Sequence, residues 1–204
     1  MKHVFVESNW VYGYCAPAHL QTPDAKDLAG RAASGDFKVY VPAVALREGE
    51  DAIRRKCQPR TVNPLREFRR WAVLNGHISQ ADADASEPLF NAFQRTLLAD
   101  MAALTARVDA IKTLPGFEVF ALNDAMLQKA ISLRAISDLK PFDETIFAAV
   151  LVKAAEVANP GDSVFFCELD GDLAPYTKHG VDRPAIKAEY DAVGVSVRRD
   201  FQVP

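Results

Sequence analysis

Alternating strand and helix segments predict an α/β fold built on a parallel β-sheet flanked by helices, with a helical insertion. Three observations carry this expectation. Short, β-rich apolar runs recur at residues 3–7, 38–42, 117–121, 163–167 and 194–198. Helical patterns lie between them, so successive strands are joined by crossovers and run parallel. The interval of approximately 57–112 departs from the alternation: it carries helical pattern and no strand signal.

Each element has a local reason. Residues 3–7 are short and apolar, as a buried strand requires, and a loop containing Gly13 and Pro17 is expected to follow. Thr22-Pro23 is a helix start, with the hydroxyl as N-cap and Pro in the first turn, and the helix should stop near Ser34-Gly35. The strand at 38–42 leaves through Pro42 into a helix over 43–56. In the insertion, helical pattern covers 62–74 and 87–111, with polar breaks at Asn75-Gly76 and around 81–86. A helix over 124–134 follows the third strand. Residues 143–158 form a strongly apolar helix that Asn159-Pro160-Gly161 terminates. A short helix over 184–191 precedes the last strand.

Composition bounds the function classes. The chain has 204 residues, 49% hydrophobic and 25% charged, as expected of one globular domain. Cys15, Cys57 and Cys167 are odd in number and far apart, which argues against a disulfide framework or a thiolate zinc site and favours a reducing, cytoplasmic compartment. His3, His19, His77 and His179 share no ligand spacing. No segment approaches the ~20 apolar residues of a membrane span, and no signal peptide is visible.

Four acids stand in recognisable settings. Glu7 ends the first apolar run, and a carboxylate at the end of a buried strand needs a partner. Glu48 lies early in the helix after the second strand. Asp143 opens the apolar helix, where an acid also complements the helix dipole. Asp170 follows the fourth strand, with Asp172 two residues on. In parallel sheets, ligands bind beyond the carboxyl ends of the strands. Carboxylates gathered there repel one another unless a divalent cation lies between them, and hard oxygen ligands suit Mg²⁺ or Mn²⁺.

The order of these segments resembles that of the PIN-domain nucleases. Val4-Phe5-Val6-Glu7-Ser8-Asn9 looks like the opening motif of that family, with Glu7 where Asp is usual. Residues 41–48, VPAVALRE, look like the second motif, and 142–149, FDETIFAA, like the third. Residues 164–172, VFFCELDGD, look like the fourth. The resemblance covers both ends of the chain but not 57–112. It implies a PIN-like domain acting as a Mg²⁺- or Mn²⁺-dependent ribonuclease. Glu7, Asp143, Asp170 and Asp172 would then be metal ligands and Glu48 a further catalytic acid. Ser8 and Asn9 would orient a ligand or the scissile phosphate. The toxin half of a toxin–antitoxin pair, with an antitoxin or a second copy as partner, follows by analogy alone. Glu7 carries one methylene more than Asp, which moves its carboxylate by ~1.5 Å along an extended side chain. Either the backbone retreats to compensate or metal binding weakens.

Residues 47–70 hold eight Lys or Arg against four acids in a chain of net charge -3. Arg54, Arg55, Arg69 and Arg70 are candidate phosphate contacts, and Phe68 and Trp71 candidate stacking platforms. The plainer reading is a solvated basic helix whose aromatics stand at core spacing. Asp82, Asp84 and Glu87 read as a polar loop and cap. Two rival functions remain. A Toprim-like domain also uses a Glu after its first strand and a later Asp-x-Asp, here Glu7 and Asp170-Gly171-Asp172. It leaves Glu48 and Asp143 unexplained, and Ser8-Asn9 stands where that family has glycine. A non-catalytic RNA- or protein-binding PIN-like module is the other, and Glu7 is the residue that favours it.

Overall fold

The computed structural model describes residues 1–57, 62–169, 171–177 and 179–204. Five strands form one sheet in the order β3-β2-β1-β4-β5, all parallel. They are β1 (Lys2–Val6), β2 (Lys38–Pro42), β3 (Phe117–Phe120), β4 (Ser163–Cys167) and β5 (Val195–Arg198). This is the α/β architecture expected from the sequence, and it is consistent with a PIN-like fold. β1 is central, pairing Val4 with Val39 on one side and with Phe165 on the other. Val4, Phe5 and Val6 are fully buried, as a strand covered on both faces must be. The chain winds to one side of β1 through β2 and β3, then returns to the other side through β4 and β5. The order therefore reverses between β1 and β4, which makes their carboxyl ends the expected crevice.

The helices are α1 (Ser8–Cys15), α2 (Pro23–Ala33), α3 (Ala43–Lys56), α4 (Asn63–Leu74), α5 (Gln80–Ala102), α6 (Leu104–Ala110), α7 (Asp124–Leu133), α8 (Pro141–Val157) and α9 (Pro184–Ala192). α8 is apolar nearly all round. Ile146, Phe147, Ala148, Ala149, Val150 and Leu151 are all buried, so a helix of that composition belongs inside.

Four local expectations need correcting. Residues 8–15 are helical, not a loop. Gly13 lies inside α1, where a Cβ would stand 2.8 Å from Thr22 Oγ1, so the glycine serves a close approach between segments, not a turn. Thr22 occupies the N-cap of α2 but its side chain makes no capping bond. Residues 81–86 are not a polar break. α5 runs through them from Gln80, because Ser79 caps it by accepting from Asp82 N at 3.1 Å and the Ala-rich segment is a good helix former. Asp82 thus belongs to a helix cap. The helix expected over 87–111 is divided at Ala103 into α5 and α6.

α4 and α5 are clipped together by Glu87, which meets Arg66 at 3.2 Å and Arg69 at 2.6 Å. Phe68 and Trp71 stack on each other at 5.8 Å between ring centroids, yet Phe68 remains 66% exposed. Their helical spacing therefore marks a solvent face, not a core.

Gly49 fixes how α3 meets α1. A Cβ at this position would lie 2.6 Å from Val11 Cβ and 3.2 Å from Ser8 O. Gly30, in α2, has nothing within 4 Å of that position. Gly49→Ala is expected to destabilise by about 1–2 kcal/mol, overpacking outweighing the gain in helix propensity. Gly30→Ala should stabilise by about 0.5–1 kcal/mol. Urea unfolding of the two variants gives the two opposite signs; equal effects would mean that α3 and α1 are not in close contact.

Candidate active site

Glu7 leaves β1 as the N-cap residue of α1, its carbonyl accepting from Trp10 N at 3.0 Å. Its side chain is only 6% exposed. Asn9 Nδ2 donates to Oε1 at 2.5 Å and Ser8 Oγ to Oε2 at 3.2 Å. The two residues expected to orient a ligand or the phosphate thus hold the Glu7 carboxylate itself.

The pairing of Val6 with Cys167 sets Glu7 beside Glu168, each one residue beyond its strand. Glu168 is fully buried. Gly171 N donates to both of its oxygens, at 2.8 and 3.0 Å, and Leu173 N to one of them at 3.5 Å. The acid therefore ties down the loop that carries Asp172. Glu168 was not singled out from the sequence as a site residue, although an acid directly after an apolar strand and three residues before a glycine is the available signal. Tyr190 reports the local field. Its hydroxyl donates to Leu173 O at 2.9 Å. Burial holds its ionisation well above the ordinary tyrosine value, and the negative charges of Glu168 and Glu7 push it further, against Arg183.

Asp143 stands in the first turn of α8, where Lys140 is the N-cap residue. It lines a cavity of about 380 Å³ with Asp172, and with Lys140, His179 and Arg183. Arg183 donates from Nη1 to Asp172 O at 2.6 Å and from Nη2 to Asp138. That guanidinium keeps the Asp138 carboxyl below the ordinary aspartate range. Glu48, in α3, lines a second cavity of about 280 Å³ with Arg47, Asp51, Arg55 and Phe142. The contact of the neighbouring Gly49 with Ser8 brings this turn of α3 against the end of β1.

Glu7 is thus joined to Ser8 and Asn9, Asp143 shares a cavity with Asp172, and Glu48 faces a cavity bounded by the residue before Asp143. Asp170, and Arg60 of the basic segment 47–70, lie outside the described residues. Among the described residues, no three His, Cys, Asp or Glu side chains form a group able to hold a metal ion. Of the basic candidates, Arg54 donates to Glu50 and Thr105, and Arg69 to Ala83 O and Ser86. Arg55 and Arg70 are exposed. All three cysteines are buried free thiols. No helix of the described residues is long and apolar enough to cross a membrane.

The chain matched no family model, no curated protein and no solved structure.

Proposed function

We propose that the chain is a metal-dependent ribonuclease of PIN-like type, acting beyond the carboxyl ends of β1 and β4. The observation that carries this reading is the placement of acids read independently along the sequence. Glu7 follows the central strand at the point where the strand order reverses, and Asp143 and Asp172 line one cavity. These carboxylates, with Asp170, are the proposed ligands of Mg²⁺ or Mn²⁺, and their hard oxygens suit either ion. When bound, such an ion supplies an activated water and stabilises charge on the phosphodiester.

The chain's own residues do the remainder. Ser8 and Asn9 fix the orientation of the Glu7 carboxylate, which as the longer acid has more rotamers to lose. Glu168 holds the loop of Asp172 by accepting its backbone N–H groups. The first turn of α8 presents Asp143 to the cavity.

The test is cleavage of a mixed single-stranded RNA with Mn²⁺ or Mg²⁺. Wild type is expected to cleave, EDTA to block cleavage, and Asp143→Asn to lower the rate about 100-fold or more while remaining folded. Equal cleavage by both proteins would overturn the assignment of Asp143. The second reading, a nucleic-acid-binding module without hydrolysis, is favoured by Glu7, whose carboxylate already holds two side-chain donors. RNA binding in EDTA, with no cleavage in either metal, would establish it.

A further inference from the structure

Consecutive residues line the two cavities beside the acids. Phe142 lines the cavity of Glu48, and the next residue, Asp143, lines the cavity of Asp172. Cations rim both. Lys140 and His179 are exposed on one side, and Arg47 and Arg55 on the other. The acids would repel a phosphate brought among them, so cations at both flanks are where phosphates can settle. Arg183 adds a donor in the wall. Its Nε is buried with no hydrogen-bond partner, although the rest of its guanidinium is engaged with the Asp172 carbonyl and with Asp138. Phe142 is 41% exposed in the first turn of α8. An apolar ring left open beside a cavity rimmed by charged side chains can accept a flat apolar partner. Phe68 and Trp71 are also exposed, but they stack on each other and line neither of these two cavities.

We propose that the two cavities form one track for a single nucleic-acid strand, which crosses the acids with one base stacked on Phe142. Its phosphates settle on Lys140 and His179 at one end and on Arg47 and Arg55 at the other. The choice of a nucleic acid as occupant rests on the ribonuclease reading. A stacked, splayed base selects a single strand over a duplex. Substrate contact then moves away from Arg54 and Arg69, which are engaged within the molecule and 42% and 22% exposed, to Arg55 and to Arg47, which donates to Asp51 at 3.2 Å but remains 79% exposed.

Fluorescence anisotropy of labelled oligonucleotides with the full chain, in EDTA and at low salt, tests this. Wild type should bind single-stranded RNA more tightly than a duplex of equal length. Phe142→Ala should weaken binding about 5- to 100-fold, the range of one base–aromatic stack, and Phe142→Tyr should restore it. Arg55→Ala should weaken all sequences alike and lower the salt slope by about one. Single-stranded DNA bound as tightly as RNA keeps the track and removes a role for the 2′-hydroxyl. Unchanged binding by folded Phe142→Ala, preference for duplex, or no binding by folded wild type would each overturn the track. The two readings fail separately. Binding as expected without cleavage in Mn²⁺ or Mg²⁺ keeps the track and removes the nuclease. Cleavage with unchanged binding by Phe142→Ala removes the track alone.

Discussion

Glu168→Ala is expected to lose about 2–3 kcal/mol of stability, because removing a buried acceptor leaves the N–H groups of Gly171 and Leu173 without their partner. Glu168→Gln keeps one acceptor oxygen in the same place and should lose less than half as much. The consequence reaches the site. Asp172 lies between the two residues that Glu168 holds, so the alanine variant should also lower RNA cleavage at saturating metal, and more than its global stability accounts for. Urea unfolding measures the first effect, and cleavage well below the unfolding midpoint measures the second. A variant that loses stability but cleaves as wild type would show that the loop after β4 takes no part in the reaction. Tyr190 supplies a further readout. Removing one of the two negative charges that oppose its ionisation should move its phenol down towards the ordinary range, although burial and the charge of Glu7 would still hold it up. Ultraviolet pH titration follows this.

Trp10→Ala is expected to cost about 3–5 kcal/mol of stability. Trp10 is fully buried. It stacks on Tyr14 at 4.9 Å and lies 5.0 Å from the Phe117 ring. Its indole N–H donates to Ala25 O at 3.1 Å. One side chain therefore joins α1 to α2 and β3. Trp10→Phe retains much of the apolar contact but leaves the Ala25 carbonyl without this donor, and should cost about 1–3 kcal/mol. Because α1 carries Ser8 and Asn9, which hold the Glu7 carboxylate, the alanine variant should also weaken cleavage at temperatures where it is still folded. Thermal unfolding by circular dichroism ranks the two variants. An alanine variant as stable as wild type would mean that α1 is not packed against α2 and β3 through this residue.

Much of the architecture is legible in the residues. All five strands were expected within a residue or two of where they lie, because each is a short apolar run bounded by a turn or helix start. α8 was legible because an apolar helix of its length, closed by Asn159-Pro160-Gly161, has no other place to go. α1 was missed for a physical reason. Its glycine is there to let Thr22 approach, and a glycine placed for packing looks the same in sequence as one placed for a turn. The segment 81–86 is polar, which in sequence resembles a break, but its alanines and the Ser79 cap favour helix.

The site divides in the same way. Local pattern in the residues is enough to set the alternation of strand and helix, and with it the expectation that the acids after the first and fourth strands lie at one edge of a parallel sheet. Tertiary structure alone decided which neighbours those acids meet. Strand register set Glu168 beside Glu7, and the absence of a side chain at Gly49 let the turn of Glu48 close on the end of β1. Long-range packing brought Lys140, His179 and Arg183 to one cavity and tied Arg54 and Arg69 elsewhere. Periodicity and capping are local, so they can be read from neighbouring residues. The partner of a long cationic side chain is chosen by segments far away in the chain, and only the folded structure brings those segments together.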